Sequence, residues 1–164
     1  ARTLTDTPIS VAASAHASAA PLADRDELTS IPSTKQAAQI AYSMAGINPE
    51  DVSLSEVHDC FTIAEVIASE DLGFFPAGEG ALAVAEGRTN RDGEKPINTS
   101  GGLKAKGHPV GATGGAQLTE LWTQLRGEAG QRQVTGKNLE YGLAQNLGGS
   151  GNSCVITILK RGIS

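Results

Sequence analysis

The sequence predicts an α/β fold in which a mixed sheet is flanked by helices. Three observations carry that prediction. Strand-like segments alternate with segments of helical periodicity along most of the chain. The last two strand-like segments are joined by the glycine turn "GGSG", Gly148 to Gly151, and so form a hairpin. The 164 residues suit a single domain of ordinary size, and many of the 20 glycines fall between Gly101 and Gly151, where tight turns or close backbone approach are expected.

In chain order, "PISVAASAHAS" (Pro8–Ser18) reads as a strand of small side chains that permit close packing. Residues 20–33 are polar and proline-containing, hence a loop. A helix follows. Ala37, Ile40, Ala41 and Met44 recur at helical spacing on its inward stripe, Ser33 is the expected N-cap and Gly46 the stop. A short strand is expected from about Val52 to His58. A second helix follows, with Ile63, Val66 and Ile67 on one stripe and Gly73 after it. A loop with a short helix near residues 81–86 leads to the irregular, glycine-rich "INTSGGLKAKGHPVG". From about Ala112 to Arg126 a third helix is predicted, with Leu118, Leu121, Trp122 and Leu125 inward and Gly127 at its end. "NLEYGLAQNLGG" and "NSCVITILKR" are the hairpin strands. Neither an internal repeat nor a low-complexity tract interrupts this order.

Composition excludes several function classes. The net charge is −5 with both signs interspersed, which lacks the clustered basic face of a nucleic-acid binder. No apolar run reaches the roughly 18 residues of a membrane span. No charged segment followed by an apolar core marks a secretory signal. Two cysteines make no disulfide framework, so a reduced, cytoplasmic setting is the expectation. The chain opens "ARTLTDTP" without a methionine, as a fragment or processed piece would.

The chemistry concentrates in two stretches. "SEVHDCF" (Ser55–Phe61) places His58 and Cys60 two residues apart, and on a continuing strand they would share a face. Three readings compete. The pair is core packing, or it supplies zinc ligands together with His108, although no CxxC or HxxxH spacing is present, or it does acid/base work through a thiol beside an imidazole. The second stretch, "KGHPVGATGG" (Lys106–Gly115), sets His108 before a helix start, where free N–H groups and a partial positive charge favour a developing oxyanion. Cys154, in "SCVITIL", and Trp122 are expected in the core, and His16 in the core or a loop. Asp59 either orients His58 or caps the next helix. Asn98 and Ser100 shape the loop before the glycines.

Taken together, "EVHDCFTIAEVIASEDLG" (Glu56–Gly73), residues 97–134 and "AQNLGGSGNSCVITIL" (Ala144–Leu159) resemble the C-terminal half of the thiolase superfamily, nearest the sterol-carrier-protein-type thiolases and their bacterial and archaeal relatives. The resemblance implies half of a five-layered αβαβα fold with a five-stranded-type mixed sheet, residues 8–164 forming the domain and residues 1–7 an extension or the end of the preceding half. It implies that His108 activates a nucleophilic cysteine and helps hold the thioester oxygen. "HDCF" stands where many thiolases have Asn-Glu-Ala-Phe, so His58 takes the asparagine's place in the oxyanion hole. "NLG" stands where many have Cys-x-Gly. Asn146 thus replaces the second catalytic cysteine, while Gly148 keeps the glycine whose N–H serves the second oxyanion hole. In the sterol-carrier type the cysteine of "HDCF", here Cys60, takes over as acid/base.

Neither Cys60 nor Cys154 lies in a nucleophile motif of the family. The resemblance therefore implies a partner, the N-terminal half that carries the nucleophile, and a coenzyme A thioester as substrate, with no metal and no bound cofactor. It implies an acyl-CoA C-acyltransferase of lipid metabolism, homo-oligomeric when complete and inactive as this chain alone. The alternatives are a non-catalytic acyl-CoA-binding or scaffold subunit, and a thiolase-like aldolase. Retention of His58, Cys60 and His108 together favours the enzyme.

Overall fold

The computed structural model describes residues 4–162. Four strands, β1 (Ile9–Ser18), β2 (Val52–Glu56), β3 (Tyr141–Gly148) and β4 (Ser153–Arg161), form one sheet in the order β1-β4-β3-β2. β4 pairs antiparallel with both β1 and β3, while β2 and β3 run parallel, so the sheet is mixed as predicted. Among the described residues the expected fifth strand does not form, leaving four. In its place Ile97 makes a single parallel bridge to Ser55 on the free edge of β2, held by Ser55 N–H to Pro96 O and Asn98 N–H to Ser55 O, both 2.9 Å. Glycines at 101 and 102 turn the chain away before more ladder can form; both have positive φ.

Helix α1 (Pro32–Ala45) covers one face of the sheet, against β1 and β4. Alanine meets alanine there: Ala37, Ala38 and Ala41 share a core with Ala13, Ala15 and Ala17 of β1, so the layers approach closely. This bears out the small-residue reading of β1. The predicted inward stripe is half right. Ala37 and Ala41 are buried, but Ala38 and Tyr42 complete the face, while Ile40 and Met44 lie exposed. The buried stripe is rotated toward the smaller side chains because the sheet beneath is itself built of alanines. Ser33 is not the N-cap. Ile31 holds that position, Pro32 supplies the fixed φ of the first turn, and the buried Ser33 hydroxyl donates to Gly151 O at 2.7 Å. Gly46 ends the helix with φ 66°, as expected.

Helix α2 (Thr62–Asp71) buries Ala64, Ala68 and Ser69 most deeply. Ile63, Val66 and Ile67 share one stripe as expected and line a cleft with Leu28; Ile63 is exposed, while Ile67 also packs against the core. Helix α3 (Gly80–Ala85) matches the short helix expected nearby. A further five-residue helix, α4 (Gly102–Lys106), forms within the stretch read as irregular. Helix α5 (Thr113–Arg126) covers the second face of the sheet, with Leu121 and Leu125 packed against Leu54, Ala144 and Leu159. Gly142 lets it sit close, since a Cβ there would meet Leu121 Cδ2 at 3.2 Å. Trp122 is not core. It is 44% exposed, with the Arg126 guanidinium over its ring. Of the expected N-terminal extension, residues 1–3 lie outside the described residues; Thr5 Oγ1 and Thr7 O accept hydrogen bonds from Arg126. Among the described residues no helix is long and apolar enough to cross a membrane.

Candidate active site

β2 ends at Glu56, two residues sooner than predicted, and the chain then crosses the end of the sheet as an irregular segment. Here His58 is buried. Its backbone N–H donates to Gln145 Oε1 at 2.9 Å. Gln145, fully buried on β3, donates in turn to Thr34 Oγ1. His58 Nδ1 is buried with no hydrogen-bond partner. An unmatched polar atom in such a place marks a position prepared for something else to bind. Burial chiefly, and the neighbouring His108 secondarily, lower the pKa of His58, with Asp59 opposing them, so the ring is held neutral.

His108 lies fifty positions further along, yet its ring stands edge-on to that of His58, centroids 4.9 Å apart and planes at 84°. Gly107, with φ 84°, makes the turn that swings it there. His108 Nδ1 lies 2.7 Å from Thr113 Oγ1, and the Thr113 hydroxyl reaches Pro109 O at 3.2 Å. Thr113 has one proton to give. When it goes to Pro109 O, Nδ1 of His108 must be the donor, which leaves Nε2 with its lone pair free to accept a proton. His108 is exposed where His58 is buried, so the pair forms a wall open on one side.

Cys60 is exposed and stands outside any strand, just before α2. The shared-face expectation for His58 and Cys60 therefore fails, because β2 does not continue that far. Cys60 instead lines a cleft of about 420 Å³ with Leu28, Ile63, Leu147 and the turn at Gly149–Gly151. Gly148 closes β3 opposite Ser153 at the edge of this region. Cys154 is core as predicted. It is fully buried, accepts from the Thr34 hydroxyl at 3.6 Å, and burial pushes its thiol up to about 11.

Asn146 Nδ2 donates to Gln117 Oε1 at 3.0 Å, which ties it to α5. Asp59 accepts from the Leu103 N–H at 2.8 Å, so it holds α4 and does not cap α2, the helix that follows it. His16 is on the exposed side of edge strand β1, against Ser153 Oγ. Asn98 shapes the loop as expected, at φ 53°; its amide accepts from Val57 N–H and donates to Glu65. Among the described residues no cluster of three or more His, Cys, Asp or Glu is placed to hold a metal ion.

Sequence reasoning missed the polar supports. Glu56 is fully buried and binds Ser100 and Lys106. Gln145 and Gln117 are likewise buried. Gln117 donates to Gln145 O at 2.9 Å and reaches Glu56 O at 3.4 Å. The signal was present in "LAQNL", where a glutamine interrupts an apolar strand.

Comparison with known proteins now has a geometry to rest on. The profile of the family described as "Thiolase C-terminal domain-like" matches residues 13–161. The chain belongs to this family. An acetyl-CoA acetyltransferase of Methanothermobacter thermautotrophicus is 52% identical over 162 residues, covering 98% of this chain and 42% of that protein. Human sterol carrier protein 2 is 47% identical over 129 residues, covering 79% of this chain and 23% of that protein. Among solved structures, the "Ltp2-ChsH2(DUF35) aldolase" superposes with a TM-score of 0.84 at 27% identity, over 98% of this chain and 41% of that chain. The chain thus spans less than half the length of these thiolase-domain relatives. The half-domain architecture, with its two histidines at one end of the sheet, is a thiolase C-terminal domain.

Proposed function

We propose that this chain is the C-terminal half of an acyl-CoA C-acyltransferase, which makes or breaks a carbon–carbon bond between acyl-CoA thioesters. The observation that carries the reading is the His58–His108 pair, two imidazoles brought edge to face with one buried nitrogen unmatched. His108 Nε2 takes the proton of a cysteine supplied by the N-terminal half, and the thiolate attacks the thioester carbonyl. His58 and His108 donate to the resulting oxyanion, whose collapse breaks the thioester C–S bond, releases coenzyme A with the proton held by His108 and leaves the acyl group on the cysteine. Gly148 offers its N–H to the second carbonyl. Asn146 is an amide and cannot titrate, so Cys60 is left to remove the proton from the α-carbon of the second thioester. The carbanion then displaces the nucleophile's sulfur from the acyl group. Neither Cys60 nor Cys154 lies in a nucleophile motif of the family, so on this reading the chain alone should not turn over.

A test uses the assembled protein, this chain with the half that carries the nucleophile. Cys60→Ala should still form the acyl-enzyme but fail to exchange acetyl-CoA methyl protons with deuterated water. Cys154→Ala, the paired control, should keep the exchange and lose only stability, roughly 1 kcal/mol. Normal exchange in the Cys60→Ala protein would assign the base to another group. The TM-score of 0.84 to an aldolase favours a second reading, in which the same pair polarises an aldol carbonyl. Retro-aldol cleavage without thiolysis of acetoacetyl-CoA would establish that reading instead.

A further inference from the structure

The two acids flanking His58 both reach across to α4, the short helix that leads into His108. Asp59, the next residue after His58, accepts the N–H of Leu103 at the start of α4 at 2.8 Å. Glu56, two residues before His58, accepts from Lys106 Nζ at the end of α4 at 2.9 Å. Lys106 is itself two residues before His108. The helix is thus pinned at both ends by the neighbours of one histidine while it carries the other.

Several features show a tightly defined clamp. The Glu56 side chain is completely buried, and a buried carboxylate is tolerated only when paired and hydrogen-bonded. Ser100 supplies both its N–H, at 3.1 Å, and its hydroxyl to Glu56, and Lys106 Nζ donates to Ser100 Oγ at 2.6 Å. Each hydrogen bond of the Glu56 carboxylate therefore ties β2 to the segment that ends in His108. Among the described residues, two further charges act on Glu56, Arg132, which is paired with Glu120, and Glu65, which carries the same sign. At the other end, Gly102 has φ 63°, and a Cβ there would collide with the Asp59 carboxylate.

We propose that Glu56, Lys106 and Asp59 are positioning residues, with α4 as the spacer, that set the separation of the His58 and His108 rings. This rests on the reading of the two histidines as the reacting pair. The residues do not touch substrate. They fix where His108 Nε2 stands relative to the unmatched nitrogen of His58, and a displacement of about 1 Å at such a pair can cost a hundredfold in rate.

The test again uses the assembled protein, with acetoacetyl-CoA and coenzyme A as substrates. Lys106→Met should lower kcat by about 10- to 100-fold with KM little changed. Because that variant leaves a buried charge alone and can fail to fold, Glu56→Gln/Lys106→Met is its companion, with the charge removed from both sides. The double variant should melt close to the parent yet keep the lowered kcat. A second readout does not depend on turnover. The chain has only three histidines, so ring-labelled histidine NMR can follow the cross-peak between the His58 and His108 rings, with His16→Gln for assignment. That cross-peak should weaken in the double variant. Parental kcat in the double variant, or a lowered kcat with the cross-peak intact, would overturn the proposal. Failure of the parent protein to act on any acyl-CoA would sink the proposed function while leaving the NMR comparison to decide the positioning role.

Discussion

The two faces of the sheet are held by different physics. On the α1 face the middle of the helix is apolar, with Ala37, Ala38 and Ala41 against Ala13, Ala15, Ile156 and Ile158, while the hydrogen-bonded Ser33, Thr34 and Tyr42 are buried toward its two ends. On the α5 face, Leu121 and Leu125 share the buried stripe with Gln117, Glu120 and Gln124, each hydrogen-bonded. Non-directional packing is enough to hold a layer in place. Hydrogen bonds also fix its rotation and its register along the sheet, because their geometry is narrow. The directional face is the one whose helix follows His108 and ties down Asn146. The difference teaches that the two helices are seated differently: apolar contact carries the middle of α1, and polar burial runs along the face of α5, the helix that follows the histidine pair.

The largest effect should come from the apolar face. Ile156→Ala removes buried volume from the centre of the sheet and should cost about 2–5 kcal/mol, read from the denaturant midpoint of the assembled protein. Activity per folded molecule should stay at the parental level. A large loss of activity below the unfolding transition would show that the α1 face also places catalytic groups.

A smaller stability loss with a larger functional one is expected across the sheet. Gln117→Leu is close in volume but removes donors from Gln145 O and Glu56 O, and the acceptor of Asn146. Stranding those groups should cost about 1–3 kcal/mol, and kcat should fall at temperatures where the fold is intact. Unchanged kcat would remove the distinction between the faces.

This contrast also explains how much was legible in the sequence. Strand and helix positions followed from periodicity, and Gly46 and Gly127 ended their helices where expected, with φ of 66° and 76°. Burial direction was less legible. Ile40, Met44 and Trp122 read as core because hydrophobicity scales rank them above alanine, yet closely approaching layers have room only for the alanines. The residues proposed for the site, His58, His108, Cys60, Gly148 and Asn146, were named from motifs. Their supports were not, because Glu56, Gln145 and Gln117 look like surface residues until their partners, 28 to 87 positions away, come together. A cross-chain hydrogen bond leaves no periodicity behind.

The smallest expected effect probes the meeting point of the two regions. His58 is anchored by Gln145, which also reaches α1 through Thr34, and its ring faces His108 with Asp59 beside it. Its pKa is lowered in the folded state, first by burial and then by His108. The unfolded chain therefore takes up a proton first as the pH falls below the ordinary histidine value of about 6.5. The stability contributed by a neutral His58 is full above that value and is lost as the pH falls through the folded-state value. One proton limits the loss to about 1.4 kcal/mol per pH unit. His58→Asn, with no titrating group, should lack this component. The carboxyls of Glu56, Glu65 and Asp71, which burial raises, push stability the other way on acidification, but they are present in both proteins. The difference in unfolding midpoint between parent and variant, followed from pH 7.5 to pH 5, therefore reports His58. It should shift steadily against the parent as the pH falls. A difference that stays constant across that range would mean that His58 titrates alike in the folded and unfolded protein, and one that moves in the parent's favour would mean that His58 is already charged in the folded protein, with the buried Nδ1 a donor.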